Sequence, residues 1–182
     1  MRINKKLNLV ITLDNDDGSK YYVHAKPFSR EAFEANYLLF SQAFSSMIES
    51  GIQVTAGPRV AALVLKDLAK KQGREADYAA IIAEIKRTAN VIKGGSEGFA
   101  PKLLSTAVAH GEVDEDDLTY IEGVICFFTL TSAMWRGERL DASLAFMSGL
   151  WGAQTTSLDC TEFMSSLRTA TTEDNTGEKV TA

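Results

Sequence analysis

One stretch, Leu118 to Trp135 (LTYIEGVICFFTLTSAMW), limits what this chain can fold into more than any other. It holds the densest run of large apolar side chains, with Ile121, Val124, Ile125, Phe127, Phe128 and Leu130 close together. At helical spacing only one narrow stripe interrupts them, made of Thr119, Glu122, Gly123, Cys126 and Thr129. A helix apolar nearly all round belongs inside a protein core or a bilayer. Glu122 argues against the bilayer, because a carboxylate at helix centre costs about 2.5 to 3.5 kcal/mol on insertion scales. Thr119, Thr129, Thr131 and Ser132 dilute the run further, and it sits near the lower limit of spanning length. A central helix of a soluble protein is the expectation.

The chain of 182 residues is long enough to surround such a helix without disulfides or metals. Residues 1–170 read as one domain and residues 171–182, Ser/Thr-rich and acidic with almost nothing to bury, as a disordered tail. The net charge of -5 argues against nucleic acid as a partner, and Lys5-Lys6 and Lys70-Lys71 build no basic face. Cys126 and Cys160 lie far apart at no ligand spacing, which favours a reducing, cytoplasmic setting. The N-terminus has no long apolar core or small-residue cleavage site, so nothing predicts export.

Leu7, Leu9, Ile11 and Leu13 alternate with Asn8, Val10 and Thr12, the period of a half-buried strand. Asn15-Asp16-Asp17-Gly18 is a turn, and Tyr21 to Ala25 forms a second strand stopped by Pro27. Residues 1–27 are therefore a β-hairpin, and residues 29–170 a compact bundle of about five to seven helices. The class is mainly α, formally α+β.

Ser29 caps a helix from Arg30 to Ser50, with an aromatic seam of Phe33, Tyr37, Phe40, Phe44 and Met47. Gly57-Pro58 opens a second, turning Val60, Val64 and Leu68 inward. From Glu75 a third carries Tyr78, Ile81, Ile82, Ile85, Ala89 and Ile92 on one face. Gly94 to Gly98 reads as a mobile loop, after which Pro101 opens a short helix through Ala109. The acidic run Asp114 to Asp117 suits the positive end of the central helix. Asp141 to Trp151 and Ser157 to Leu167 complete the helices.

The residues offer an enzyme little. His24 and His110 read as surface or boundary histidines, each without a partner at metal-ligand spacing. The glycine-rich loop lacks the Gly-Lys-Ser/Thr of a phosphate cradle, and no Gly-x-Ser-x-Gly elbow occurs. The acidic turns at Asp14 to Gly18 and Asp114 to Asp117 lack the ligand order and closing glutamate of a calcium loop. Glu122 is either a raised-pKa acid or, as expected here, a structural carboxylate meeting water or an arginine such as Arg136, Arg139 or Arg59. No catalytic, metal or cofactor residue is assigned.

The order of features resembles a known family. The strand pair and helix entry LNLVITLDNDDGSKYYVHAKPFSREAFEANYLLFSQAF lead to GPRVAALVLKDLAKKQG, then to DLTYIEGVICFFTLTSAMWRGER and a Ser/Thr-rich acidic end. Over roughly residues 1 to 170 this pattern resembles the tail assembly chaperones of long, non-contractile-tailed (siphovirus-type) bacteriophages. The resemblance implies a mostly helical, non-enzymatic protein of the host cytoplasm, absent from the mature virion and without a cofactor. It implies binding to the tape measure protein, which it keeps soluble while tail tube protein polymerises around it. It also implies a longer frameshifted product, through which the tube protein is engaged, and possible homo-oligomers. No nucleic-acid or membrane partner is implied.

An apolar groove for amphipathic helices fits that role, and aromatics and methionines suit adaptable contacts. Phe40, Phe44, Met47, Met134 and Met147 belong to the apolar set offered for it. Trp135, Arg136, Phe146 and Trp151 are the partner-binding candidates, since both tryptophans fall at helix ends where one edge can stay exposed. Two other classes remain. One is a structural tail component, a tube or terminator protein, which would be strand-dominated; the other is a small helical enzyme or ligand sensor centred on Glu122.

Overall fold

The computed structural model describes residues 7–15, 17–49, 57–95, 98–135 and 137–174, with the side chains at 44, 47, 48, 147, 150 and 168–174 left aside. Seven helices and five strands occur among the described residues. In chain order they are β1 (Asn8–Asp14), β2 (Lys20–Ala25), α1 (Arg30–Glu49), α2 (Pro58–Lys71), α3 (Glu75–Thr88) and β3 (Ala89–Gly95). Then follow β4 (Gly98–Leu103), α4 (Leu104–Ala109), α5 (Glu115–Met134), α6 (Glu138–Trp151), β5 (Ala153–Thr156) and α7 (Cys160–Asp174). The mainly helical class and the N-terminal hairpin hold. A hairpin followed by helices alone does not: the strands form one antiparallel sheet in the order β4-β3-β2-β1-β5.

That larger sheet supplies what a lone hairpin lacks, a partner for each long edge. Its register places Leu9, Ile11, Tyr21, Val23, Ala25, Ala89 and Val91 on one face. This face lies on α5, where Ile121, Val124, Ile125 and Phe128 meet it in a continuous buried core. The Tyr21 hydroxyl donates to Asp117 at 2.5 Å and so fixes the start of α5 over the sheet. Val10, Tyr22, His24 and Ile92 point the other way, and α7 covers them: Phe163 stands edge-on to Tyr22 at 5.6 Å.

β3 was expected as the end of the third helix. Ile81 and Ile85 are buried on α3 as anticipated, but the helix stops at Thr88 and Ala89–Gly95 pairs with β2. Of the expected loop, Gly94 and Gly95 end β3 and Gly98 starts β4, with Gly95 opposite Gly98; residues 96 and 97 lie outside the described residues. Pro101 belongs to β4 and not to a helix start, since an edge strand tolerates its missing N–H. The short helix begins at Leu104.

On α1 the Ser29 cap is present, its hydroxyl accepting from the Ala32 N–H at 3.1 Å. Phe33 and Phe40 stack in the core with ring centres 6.0 Å apart, while Tyr37 is exposed. The side chains of Phe44 and Met47 lie outside the described residues. On α2 the inward set is Ala62, Leu65 and Ala69, with Val60, Val64 and Leu68 only half-buried. The alanines allow α2 to approach α5 closely. Where they cross, a Cβ on Gly123 would stand 1.9 Å from the Pro58 carbonyl oxygen, so backbone meets backbone. The N-cap of α5 is Asp114, whose carboxylate accepts from the Asp117 N–H at 2.6 Å. Helix α7 runs on to Asp174, four residues into the stretch expected as a tail; residues 175–182 lie outside the described residues.

Candidate functional site

The histidines separate. His110 is exposed, with Nδ1 3.8 Å from a Glu112 oxygen. His24, expected at the surface or a boundary, is fully buried beneath α7 because β2 is the middle strand of the sheet. Its Nε2 lies 3.1 Å from the Leu158 carbonyl oxygen, and its Nδ1 finds no partner among the described residues. Burial pulls its imidazole below the usual histidine range. Burial also pushes the Cys126 thiol well up, keeping it protonated. Among the described residues no three His, Cys, Asp or Glu side chains stand together as a metal site.

The acidic turns have local duties. Asp17 accepts from the Ser19 N–H at 2.8 Å, Asp114 caps α5, and Glu112 pairs with Lys102. Lys93 reaches across to the Glu112 carbonyl at 2.7 Å.

The partner-binding candidates lie on α6 and on the turn that leads into it. Helix α6 is sparsely covered. Of its described side chains only Trp151 is buried, with Leu140, Ser143 and Leu144 half-buried. Ala142, Ala145 and Phe146 face solvent, Phe146 at 40% of its full exposure. Met134, the last residue of α5, is 49% exposed. Trp135, the C-cap of α5, is half-buried, with the Arg139 guanidinium 5.5 Å from its ring centre. Arg136 and the Met147 side chain lie outside the described residues. Trp151 keeps no free edge: at 5% exposure it is held edge-on between Phe127 at 5.0 Å and Phe146 at 6.0 Å. The last turn of α6 is anchored there, as the Tyr120 hydroxyl donates to the Trp151 carbonyl at 2.6 Å.

A second feature escaped the sequence reading. Helices α2, α3 and α5 enclose an open groove of about 620 Å³, within the size range of ligand sites. Glu115, Leu118, Thr119 and Glu122 form its floor at the spacing of one helical face of α5. Ala62 and Leu63 make one wall, Ala79, Ile82 and Ala83 the other, and Leu63 stands on the lip at 56% exposure. Glu122 is only 7% exposed. Of the arginines anticipated, neither Arg59 nor Arg139 pairs with it, and Arg136 lies outside the described residues; the Tyr78 hydroxyl donates to it, and Lys66 and Lys86 are the nearby cations. Burial raises its carboxyl above the usual range, against the pull of those lysines.

No protein-family description, curated protein or solved structure matches the chain. Among the described residues no helix is long and apolar enough to cross a membrane.

Proposed function

We propose that this protein is a non-catalytic tail assembly chaperone of long, non-contractile-tailed phages. In this reading it binds the tape measure protein in the host cytoplasm, keeps it soluble and promotes tail tube polymerisation around it. It self-associates along its client, reaches the tube protein through a C-terminally extended form and is left out of the mature virion. The sequence pattern from the first strand to the WRGER segment supports the assignment.

The observation that carries the reading is the exposure of apolar side chains on and beside α6. Phe146 and Met134 are exposed on two successive helices, and the core contacts of α6 are made by Trp151 and Leu144. Amphipathic helices dock through apolar rows of this kind, and methionine and aromatic side chains adapt to many partners. A tube or terminator protein would be dominated by strands, whereas helices prevail here.

Co-expression tests the reading. The tape measure protein is expected in the soluble fraction, bound to this chain, only when both are made together. Equal solubility without this chain, and no recoverable complex, would refute it.

A further inference from the structure

We infer that the groove between α2, α3 and α5 is a docking slot for one amphipathic helix that carries a lysine or arginine in its apolar stripe. This inference rests on the reading of the molecule as a helix-binding protein and names a second binding surface, apart from α6. Three observations define the occupant. The first is shape: each of the three enclosing helices presents a row at helical spacing, and a slot with three such walls receives a fourth helix. The second is side-chain size: Ala62, Ala79 and Ala83 keep the walls low, so a helix backbone can come close.

The third is charge. Glu122 lies in the floor, nearly enclosed, and the Tyr78 hydroxyl donates to it. An ionised carboxylate offers about four lone-pair positions, so one donor leaves capacity for a cation from above. The lysines of the groove, Lys66 and Lys86, belong to the walls, where Lys66 is exposed and Lys86 half-buried. They suit acidic residues on the flanks of the incoming helix. The occupant therefore has an apolar and small-residue stripe, one central cation within it, and acids at its shoulders. A peptide with an acid in the stripe would set two carboxylates together in a place already poor in water, which is unfavourable.

The test uses three synthetic helical peptides, identical except for Lys, Glu or Leu at the centre of a Leu/Ala stripe with acidic flanks. Each is titrated calorimetrically into the full chain. The lysine peptide should bind at least tenfold more tightly than the glutamate peptide. In a Glu122→Gln variant that preference should collapse to within about twofold, since a neutral amide does not single out a cation. Leu63→Arg, on the exposed lip where folding is not at stake, should weaken the lysine peptide at least tenfold. Equal binding of all three peptides, absence of binding, or a preference that survives Glu122→Gln would each overturn the inference. The two readings fail separately. If the wild-type chain and both variants solubilise the tape measure protein equally and no peptide binds, the slot is refuted and the chaperone reading stands. If the peptides bind with the stated preference but the tape measure protein is never solubilised, the slot stands and its proposed client is wrong.

Discussion

Helices α5 and α6 are neighbours with similar apolar content and opposite fates. From Ile121 to Ala133, α5 is buried at every position but Phe127, because the sheet lies on one side of it and α1, α2 and α3 lie on the other. Helix α6 meets little beyond the Tyr120 and Phe127 side of α5 and the short strand β5, and Ala142, Ala145 and part of the Phe146 ring stay in water. Apolar share alone does not distinguish the two, although only α5 is apolar nearly all round. What decides is how many other elements the topology delivers to each face. The half-covered face of α6, where Phe146 is 40% exposed, is the surface proposed for the client.

The contrast can be broken most sharply on α5. Phe128→Ala removes a fully buried ring and should destabilise the protein by about 3 to 5 kcal/mol in denaturant unfolding. Gly123→Ala adds a single methyl group, yet should cost about 3 kcal/mol, since Pro58 backbone occupies the space and cannot rotate away. A loss below about 0.5 kcal/mol there would mean that α2 does not ride on α5 as described.

Two buried ionisable groups sharpen the picture by pH. His24 is held below its ordinary value of 6.5, so the unfolded chain takes up its proton first as pH falls. Its contribution is fully present above pH 6.5 and is lost as pH falls toward the folded value. Thermal melts from pH 8 to pH 5 should show the midpoint dropping, and His24→Asn should flatten that part of the curve. Glu122 has the opposite sign. Its folded value lies above 4.5, so its contribution is full below pH 4.5 and declines as pH rises through the folded value. Glu122→Gln should therefore melt higher than wild type at pH 7, and a lower melting point would contradict the desolvated placement.

The smallest effect belongs to α6. Phe146→Ala should cost about 1 kcal/mol, because the ring is 40% exposed and its covered part rests edge-on against Trp151, while the same variant should recover less client from cells. A loss near that of Phe128→Ala would show α6 to be core.

What the sequence disclosed follows the same logic of local against distant causes. The β1–β2 hairpin was legible because alternation and the Asn15–Gly18 turn are local signals, and α5 because few helices are apolar all round. β3 was not: Ala89 and Ile92 continue the period of Ile81 and Ile85, and a strand buried on both faces shows no alternation of its own. β5, with the sequence AQTT, is too short and polar to announce itself; β1 makes it a strand. The inward face of α2 was placed on its valines because alanines carry little hydrophobic signal, and the meeting of Gly123 with Pro58 backbone joins residues far apart in sequence. Trp151 lies at a helix end as foreseen, but nothing nearby in sequence foretells that Phe127 closes over it. The groove is assembled from three separated helices, and its only sequence trace was the polar stripe of α5.

Amide hydrogen exchange, measured on the free protein and on its complex with the tape measure protein, tests the central claim most directly. Exchange on α5 should be slow in both states, whereas α6 should exchange quickly when free and become protected in the complex. An α6 whose exchange is the same with and without the client would contradict the account.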